Sequence, residues 1–480
     1  MEPNFLLFNL YNKKTIVEIE NQVANNFNIS IEELTKKAVK ASIDVLLEDF
    51  PNAQKIIIFC GIGKNATDGL MIGEELKALG KNVQIIKASN WESNIPIKAD
   101  LIIDALFGIG INRDLVGVWQ QIVDSINKSN IPVLSIDIPS GIDPDTGKIL
   151  GTAIIATVTV TFIGLKPGLF TGKAKNHCGK IKFNNLGLPN EAYSNAAVDS
   201  IRLTKKDFKN LLKPREPAAH KGNFGKLLIM GGQDGMVGAP LLAGKAAFRA
   251  GAGIVQVLTN SKQPVAIGDY LEIQAQNFHS SSQLESLIEK STVLLLGSGM
   301  GLEHAANSFL EHSINSSLPL IVDADGLNLL AENLDEDFEP RQNWILTPHP
   351  KEAARLLNTD VETIENNRFA TIEQLVTKFK ATVVLKGAGT LIKEYQENTI
   401  SPTYVCDLGN PGMATAGMGD VLAGVISGLV AQKLSLKDAC ILGVFAHALA
   451  GDIVAKDGEK GILASDLLFF IKKIINTICL

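Results

Sequence analysis

The chain has few cysteines, no excess of positive charge and no very long apolar run. Its five cysteines form no C-x-x-C pair, which indicates a reducing compartment and gives no zinc-site pattern. The net charge of −6 supplies no overall basic field, so nucleic acid is not expected as a partner. The apolar runs 421–431 and 441–450 are shorter than the roughly 20 residues that span a bilayer, and residues 1–10 lack the basic segment of a secretory signal. These absences predict a cytoplasmic protein with no membrane partner.

A length of 480 residues exceeds what one hydrophobic core usually supports, so two domains are expected. Strand-like runs alternate with helical patterns in two series, which predicts the α/β class with parallel sheets. The pattern loses its periodicity between about 190 and 215. We therefore predict two three-layer αβα domains, residues 1–205 and residues 206–480. Ligands of such sheets bind at the carboxyl ends of the strands.

The most informative stretch is the glycine-rich segment 410–424, which contains Asp420 and runs into an apolar helical pattern. Glycines allow close approach of the backbone to a ligand, and a helix N-terminus attracts phosphate. In phosphoryl transfer an Asp at this position accepts the proton of the attacking hydroxyl. An Asp there can also act only as a helix cap. The density of small residues around Asp420 favours the catalytic interpretation.

Further polar residues of the second domain follow predicted strands. Asp323 and Asp325 follow the run 319–322, and their spacing of two predicts either one strand face near Mg²⁺ or a simple turn with Gly326. His349 stands between two prolines, and Pro350 suits the first turn of a helix. The segment 386–390 separates two β-like runs and, considered alone, indicates a hairpin turn. The P-loop motif G-x-x-x-x-G-K-[ST] occurs nowhere, so any nucleotide binding must be of another type.

Three loops of the first domain carry comparable signals. The glycine-containing loop 61–69 lies between a predicted strand and a predicted helix, and two further loops begin with Asp104 and Asp137 at predicted strand ends. Each acid could also act as a cap or turn residue. The loop 61–69 lacks the third glycine of the dinucleotide fingerprint. If the sheet is doubly wound, the three loops converge at one edge.

These motifs resemble those of a known enzyme family. The segment 410–424 resembles the signature of the ADP-dependent NAD(P)H-hydrate dehydratases, which are ribokinase-like. The loop 61–69 resembles the G-x-G-N-N-G-G-D-G loop of the NAD(P)H-hydrate epimerases. Their order resembles that of the bifunctional repair enzymes, in which the epimerase comes first. The resemblance implies a Rossmann-like first domain of the YjeF N-terminal type and a ribokinase-like second domain.

For the second domain, the resemblance implies a lyase that dehydrates (S)-NADHX or (S)-NADPHX. ADP would phosphorylate the C6 hydroxyl, and loss of phosphate would regenerate NADH or NADPH, with AMP as the other product. Asp420 would be the catalytic base and would contact the substrate together with Ala239, Gly301 and His349. Mg²⁺ would be the cofactor. The implied ADP-binding residues are Lys386, Gly387, Ala388, Gly389, Thr390, Asn410, Gly412, Met413, Ala414, Thr415, Ala416, Gly417, Met418 and Gly419.

For the first domain, the resemblance implies an isomerase that exchanges (R)- and (S)-hydrates, with Asp137 at the reacting carbon. K⁺ would be held through oxygens by Asn65, Asp104 and Ser140. The implied substrate-binding residues are Lys64, Asn65, Ala66, Thr67, Asp68, Gly108, Ile109, Gly110, Ile111, Asn112, Arg113, Asp114 and Asp137. Lys64, Ala66 and Thr67 replace an Asn and two Gly of the family loop, and side chains at 66 and 67 would disfavour a left-handed backbone. The domain is therefore either a working epimerase or a scaffold.

Two alternatives for the whole chain stay open at the level of sequence. A ribokinase-like kinase for a small molecule would share the glycine-rich segment and Asp420. A nucleotide-binding scaffold with degenerate sites would share the folds without turnover. The expected partners are small molecules, namely NADHX, NADPHX and ADP, and the expected assembly is a homo-oligomer.

Overall fold

The computed structural model describes residues 4–91, 97–262, 268, 270–334, 339–397 and 401–479. The chain divides into two compact units. The first comprises Met1–Arg202 with Glu365–Asn367, and the second comprises Leu203–Ile364 with Arg368–Leu480.

The first unit is built on a parallel sheet with the strand order β3-β2-β4-β5-β6-β7. The short strands β1 and β8 form an antiparallel pair. The strands are β1 (Asn9–Leu10), β2 (Lys55–Cys60), β3 (Asn82–Lys87), β4 (Leu101–Ala105), β5 (Val133–Ile136), β6 (Val158–Phe162), β7 (Lys180–Asn184) and β8 (Ser200–Arg202). The helices are α1 (Lys13–Asn26), α2 (Ile31–Asp49), α3 (Lys64–Ala78) and α4 (Val118–Lys128).

Strand β2 shows why this sheet carries helices on both faces. All of its residues after Lys55 are buried, and successive side chains of a strand point to opposite faces. Ile56 and Ile58 belong to a core shared with helices α1, α2 and α3. Ile57 and Phe59 belong to a second core shared with α4. A continuous apolar strand of this kind is typical of a parallel sheet that is buried on both sides.

The second unit contains a larger, mostly parallel sheet whose order includes β17-β16-β15-β14-β13-β12-β9-β10-β11. Only β16 runs antiparallel to its neighbours among these described strands. The strands are β9 (Lys226–Met230), β10 (Ile254–Thr259), β11 (Gln274–Asn277), β12 (Val293–Leu296), β13 (Leu320–Val322), β14 (Trp344–Leu346), β15 (Thr382–Leu385), β16 (Thr390–Lys393) and β17 (Thr403–Cys406).

Helices cover this sheet on both faces. Leu227 and Ile229 of β9 pack in a core with α5, α12, α13 and α14, whereas Met230 contacts Ser313 of α7 on the other face. The helices are α5 (Gly238–Ala250), α6 (Ser281–Glu289), α7 (His304–Asn315), α8 (Asp325–Glu332), α9 (Pro350–Leu357), α10 (Val361–Asn366), α11 (Arg368–Phe379), α12 (Met418–Ala431), α13 (Leu436–Val454) and α14 (Leu467–Ile478). The α/β class and the αβα layering are confirmed.

Helix α13 is longer than the apolar run 441–450 indicated. With the turn that follows, the helical segment Leu436–Asp457 is long and apolar enough to cross a membrane by length and composition. However, 67% of its apolar window is buried inside the protein, against the sheet and α12. This burial is typical of a core helix of a globular domain.

Candidate active sites

The predicted site residues of the second unit lie at the carboxyl edge of its sheet. Asp323 follows β13, His349 follows β14 and Lys386 follows β15. Because these strands are parallel, their carboxyl ends meet at the same edge. The prediction that Asp323 and Asp325 share a strand face is wrong. Strand β13 ends at Val322, Ala324 has a φ of 48°, and Asp325 is already the first residue of α8, which is the turn alternative.

The glycine-rich segment opens α12 as predicted, but Asp420 does not cap the helix. The N-cap is Gly417, whose φ of 88° is easily adopted only by glycine, and Asp420 lies in the first helical turn. The preceding loop is anchored at Asn410, whose amide donates to Asp452 at 2.9 Å. Residues 414–416 are exposed. The segment therefore presents small residues and free helix-end N–H groups to solvent, as an anion site requires.

A cluster of charged side chains lies beneath this first turn. The Lys386 ammonium is 2.6 Å from a carboxylate oxygen of Asp323 and 3.8 Å from one of Glu352. Thr347 donates a further hydrogen bond to Asp323 at 2.7 Å. A Cβ added at Gly419 would lie 3.6 Å from the Lys386 ammonium and 3.7 Å from Asp323. The turn that carries the catalytic candidate thus packs directly over the ion pair.

Burial and the neighbouring Asp323 charge raise the pKa of Asp420 to about 6. Burial also raises the pKa of Glu352 and lowers that of His349. Burial by itself would lower the pKa of Lys386, but the carboxylates of Asp323 and Glu352 outweigh it and raise that pKa. A carboxyl group with a pKa just below neutral can exchange protons readily at physiological pH, which suits a general base.

The segment 386–390 forms the predicted hairpin turn between β15 and β16, in which Leu385 pairs with Leu391. The buried guanidinium of Arg368 supports it by donating to the Leu385 and Lys386 carbonyls at 3.1 and 3.0 Å. Gly387 has a φ of 136°, and a Cβ there would lie 3.0 Å from both terminal nitrogens of Arg368. The turn requires a glycine at this position for both reasons.

The remaining predicted substrate contacts lie at the same edge. His349 is the N-cap of α9 and accepts hydrogen bonds from the Lys351 and Glu352 amides at 3.1 Å. The Gly301 amide donates to Asp325 at 2.8 Å. Ala239, in the first turn of α5, would be 3.1 Å from a Cβ added at Gly299. The second unit therefore brings its predicted residues to one sheet edge.

In the first unit, a cavity of about 530 Å³ contains most of the predicted epimerase residues. It is lined by Lys64, Asn65, Asp68, Asp137 and residues 108–113. Ala66, Thr67 and Asp114 are not among its lining residues. The loops after β2, β4 and β5 thus converge as a doubly wound sheet predicts.

Asp137 is held in an unusual environment. It follows β5 with a φ of 68°, which is rare for a residue other than glycine and often marks a functional position. Its carboxylate accepts hydrogen bonds from the Lys166 ammonium at 2.5 Å and the Phe162 amide at 3.2 Å. Lys166 is fully buried and also bonds to Thr161 at 2.8 Å. Hydrogen bonds with Phe162 and Thr161 therefore hold both the Asp137 carboxylate and the Lys166 ammonium in place.

The three predicted K⁺ ligands offer a set of oxygens. Asp104 is buried and accepts hydrogen bonds from the Ser140 hydroxyl and amide at 2.6 and 2.9 Å. Burial raises the pKa of Asp104. Among the described residues the buried Asn65 amide nitrogen has no hydrogen-bond partner, and the side chain would be 3.5 Å from a Cβ added at Gly108. A hard monovalent cation would be held by the oxygens of Asp104 and Ser140 and by the amide oxygen of Asn65, not by its nitrogen.

The altered residues of the family-like loop do not strain the backbone. Lys64, Ala66 and Thr67 all lie in the first turns of α3, and the positive φ of 83° belongs to the N-cap Gly63. Lys64 is exposed and pairs with Glu20 at 2.9 Å. Side chains at positions 66 and 67 would oppose a left-handed backbone. Residues 66 and 67 do not adopt that conformation, because both are helical.

A larger groove of about 1530 Å³ opens in the second unit near the amino ends of its strands. It is lined by residues before β9, such as His220 and Phe224, and by Gly251 and Gln432 at the C-terminal ends of α5 and α12. None of the predicted site residues lies in it.

Sequence reasoning missed two groups that the structure places at the sites. Glu352 was assigned no role, although it follows His349 in the turn that starts α9. Lys166 was given no partner, although a charged residue shortly after the apolar strand β6 was a usable signal. The pairing of Lys386 with Asp323 had no sequence signal, because the two residues are 63 positions apart.

Solved structures identify the class of the second unit. A ribokinase-like superfamily protein from Enterococcus faecalis is 26% identical with a TM-score of 0.52, covering 58% of this chain and 95% of that one. An ADP/ATP-dependent NAD(P)H-hydrate dehydratase from Bacillus subtilis, co-crystallised with ATP and Mg²⁺, has the same fold at 24% identity, with a TM-score of 0.52 over 59% of this chain and 100% of that one. The second unit is thus a ribokinase-like domain.

Family models and relatives define the chain as a whole. The NAD(P)H-hydrate dehydratase model matches residues 227–473, and the model of the YjeF-related protein N-terminus matches residues 31–94 and 84–168. The bifunctional NAD(P)H-hydrate repair enzyme of Coxiella burnetii is 38% identical over 97% of this chain and 99% of its own length. That of Escherichia coli is 37% identical over 95% and 92%. The chain belongs to the family of bifunctional NAD(P)H-hydrate repair enzymes.

Proposed function

We propose that this chain repairs hydrated nicotinamide nucleotides in two steps. The first unit exchanges (R)- and (S)-NAD(P)HX, and the second unit dehydrates the (S) form at the expense of ADP, giving NAD(P)H, AMP and phosphate. The observation that carries the proposal is the position of Asp420, partly buried in the first turn of α12, where the neighbouring Gly419 packs over the Lys386–Asp323 pair. Membership in the repair family supports the choice of substrate.

In the dehydration, Asp420 accepts the proton of the C6 hydroxyl as its oxygen attacks the β-phosphorus of ADP. The bond from phosphorus to AMP breaks, and AMP leaves. The phosphate ester then eliminates as phosphate while C5 loses a proton, which restores the C5–C6 double bond. Phosphorylation converts hydroxide, a poor leaving group, into phosphate, a good one. General-base assistance of this kind contributes about 10²- to 10⁴-fold to a rate.

The hairpin turn 386–390 and the glycine-rich loop 410–419 bind ADP in this account. Lys386 supplies a cation at the edge where the phosphates would lie, and the α12 N-terminus supplies backbone N–H groups. Among the described residues, no group of three or more Asp, Glu, His or Cys side chains is arranged to hold a metal. The described part of the chain therefore offers no cage of side chains for Mg²⁺, and we assign Mg²⁺ to the ADP phosphates.

The contacts to the hydrate in the second unit are assigned to Ala239, Gly301 and His349. Burial lowers the pKa of His349, so its ring is neutral at neutral pH. Its Nδ1 accepts from the α9 amides, so Nε2 carries the hydrogen and lies 3.3 Å from a carboxylate oxygen of Glu352. A substrate oxygen that accepts from Nε2 would have to share or replace this contact with Glu352.

In the first unit, the cavity lined by Asp137 and residues 108–113 binds the hydrate. Asn65, Asp104 and Ser140 would hold K⁺ through their oxygens, and the ion would supply a fixed positive charge among them. The helical conformation of residues 64–67 removes the steric objection to the altered loop and favours a working epimerase over a scaffold. We further propose that the enzyme acts in the cytoplasm as a homo-oligomer.

A variant with Asp137→Asn tests the assignment of the two steps. We expect it to convert only the (S) fraction of a mixed hydrate to NADH in the presence of ADP and Mg²⁺, at the wild-type rate. The return of NADH absorbance measures this within times too short for spontaneous epimerisation. Unchanged conversion of the (R) fraction would contradict the role of Asp137.

A further inference from the structure

The cavity of the first unit contains a second carboxyl group besides Asp137. Asp68 lies on α3, one turn after Asn65, whereas Asp137 follows β5. Both line the same cavity of about 530 Å³. Asp68 is only partly exposed. Two carboxyl groups on different elements that face one cavity can approach a bound substrate from different directions.

The two carboxyl groups have different surroundings. Asp137 is bonded to the buried ammonium of Lys166 at 2.5 Å, which holds its carboxylate in one position. Lys64 lies one turn before Asp68 on the same helix, but its side chain is exposed and pairs with Glu20 at 2.9 Å. Burial and the charges of Asp137 and Glu20 raise the pKa of Asp68 to about 7, against the weaker opposing effect of Lys64. At neutral pH the Asp68 carboxyl therefore holds a proton for much of the time and can act as an acid, with a second carboxyl group in the same cavity, as an acid–base pair requires.

We propose that Asp68 and Asp137 form the acid–base pair of the hydrate exchange, acting on opposite faces of C6, and that Lys166 positions Asp137. This inference rests on the proposed epimerase function of the same cavity. It adds a second catalytic residue, Asp68, and a positioning residue, Lys166.

The chemistry of the hydrate balances with these two groups. Asp68 donates its proton to the C6 hydroxyl, and the C6–O bond breaks with its electron pair on oxygen, so that water leaves. The N1 lone pair forms an N1–C6 double bond. Water then attacks C6 from the other face, the double-bond electrons return to N1, and Asp137 takes the proton of the attacking water. The product is the opposite epimer.

Inversion explains why two groups are needed. A single carboxyl on one face can assist departure or attack on that face, but the other face would then depend on unassisted water. After one exchange the proton has moved from Asp68 to Asp137, and the reverse reaction uses the roles in reverse order. Removing Asp68 should therefore slow the exchange in both directions equally.

The test uses the full-length protein, ADP, Mg²⁺ and a mixed (R,S)-hydrate, with NADH absorbance as the signal. In Asp68→Asn, conversion of the (R) fraction should be about 100-fold slower or worse, the usual contribution of one acid–base group, while the (S) fraction reacts at the wild-type rate. Asp44→Asn, an exposed acid of α2 outside the cavity, is the matched control and should behave as wild type. An (R) rate in Asp68→Asn within about threefold of wild type overturns the pair.

The same assay separates the pair from the function on which it rests. If the wild type itself converts the (R) fraction only at the spontaneous rate, both the epimerase function and the pair are overturned. For Lys166, the Lys166→Met variant should lower kcat for the (R)-hydrate with KM unchanged, because the hydrate still binds but Asp137 is no longer held in position. If kcat falls and KM rises by the same factor, or if the circular dichroism spectrum shows that the variant is unfolded, Lys166 has only a structural role. The Asp68→Asn variant then decides whether the acid–base pair exists.

Discussion

Asp420 is the residue on which the dehydratase depends. The Asp420→Asn variant keeps the size of the side chain but cannot accept a proton, so we expect dehydration to slow by about 10²- to 10⁴-fold. ADP affinity should change little, because the nucleotide contacts are assigned to other residues. Steady-state rates and calorimetric ADP titration measure the two effects. Glu311→Gln, an exposed residue of α7, is the control, and an undiminished rate in Asp420→Asn would remove the base from the mechanism.

The raised pKa of Asp420 predicts the pH dependence of dehydration. Only the ionised carboxylate accepts the hydroxyl proton, so the rate should fall as the pH drops through about 6 and should level off above 7. A pH–rate profile of kcat/KM with (S)-hydrate and ADP measures this acid limb. An acid limb centred near 4, the ordinary range of an Asp, would contradict the buried position of the base.

At the scale of single residues, the sequence was sufficient to identify functional side chains that lie within a local motif. Asp420 lies in a glycine-rich segment, and His349 lies between prolines. It could not identify the pairing of Glu352 with Lys386 or that of Lys166 with Asp137, because an ion pair between distant residues leaves no spacing in the sequence. The roles assigned to the individual site residues stay predictions until variants are measured.

At the scale of elements, the hairpin turn between β15 and β16 depends on Gly387. Gly387→Ala should destabilise the domain by about 1–3 kcal/mol through its positive φ and should also weaken ADP binding by roughly tenfold, because the Cβ would press on Arg368. Gly458→Ala is the matched control: its φ is 125°, but apart from its chain neighbours no described residue has an atom within 4 Å of the added Cβ. Denaturant unfolding measures the stability lost through the positive φ, and ADP titration measures the affinity lost through the contact with Arg368. Equal ADP affinity in the two variants would mean that the turn does not hold the nucleotide.

The first turns of α3 give a second prediction at this scale. Restoring the family-like glycines in Ala66→Gly/Thr67→Gly should lower the stability of the first unit by roughly 1 kcal/mol, because glycine is a poor helix former. The rate of (R) to (S) exchange should not increase, because the backbone there is already helical. Thermal unfolding and the coupled NADH assay measure both quantities. A marked gain in exchange rate would show that the side chains at 66 and 67 obstruct the substrate.

Hydrophobic periodicity predicted most elements because buried faces impose it. The helices before β2 and the alternation of strands and helices in both units agree with the structure. Of the two alternatives left open for Asp323 and Asp325, the shared strand face is wrong and the turn is observed, because the positive φ of Ala324 turns the chain directly into α8. A single backbone angle of this kind leaves no periodic signal.

At the scale of the whole molecule, the two activities should be separable between chains. A mixture of the Asp420→Asn and Asp137→Asn proteins should recover the full NADH from a mixed hydrate, because the (S)-hydrate made by one protein can diffuse to the other. Each variant alone should fail, the first on both epimers and the second on the (R) form. Failure of the mixture, with each protein folded and binding its ligands, would mean that the hydrate must be passed within one chain.

The most direct test of the proposed two-step repair is the yield of NADH when the pure wild-type protein is incubated with ADP, Mg²⁺ and a mixed (R,S)-hydrate. If both units are active, recovery of NADH should be complete within times too short for spontaneous epimerisation. Recovery that stops at the (S) fraction would contradict a working first unit, and no recovery, with a stable phosphorylated product instead, would contradict the dehydratase.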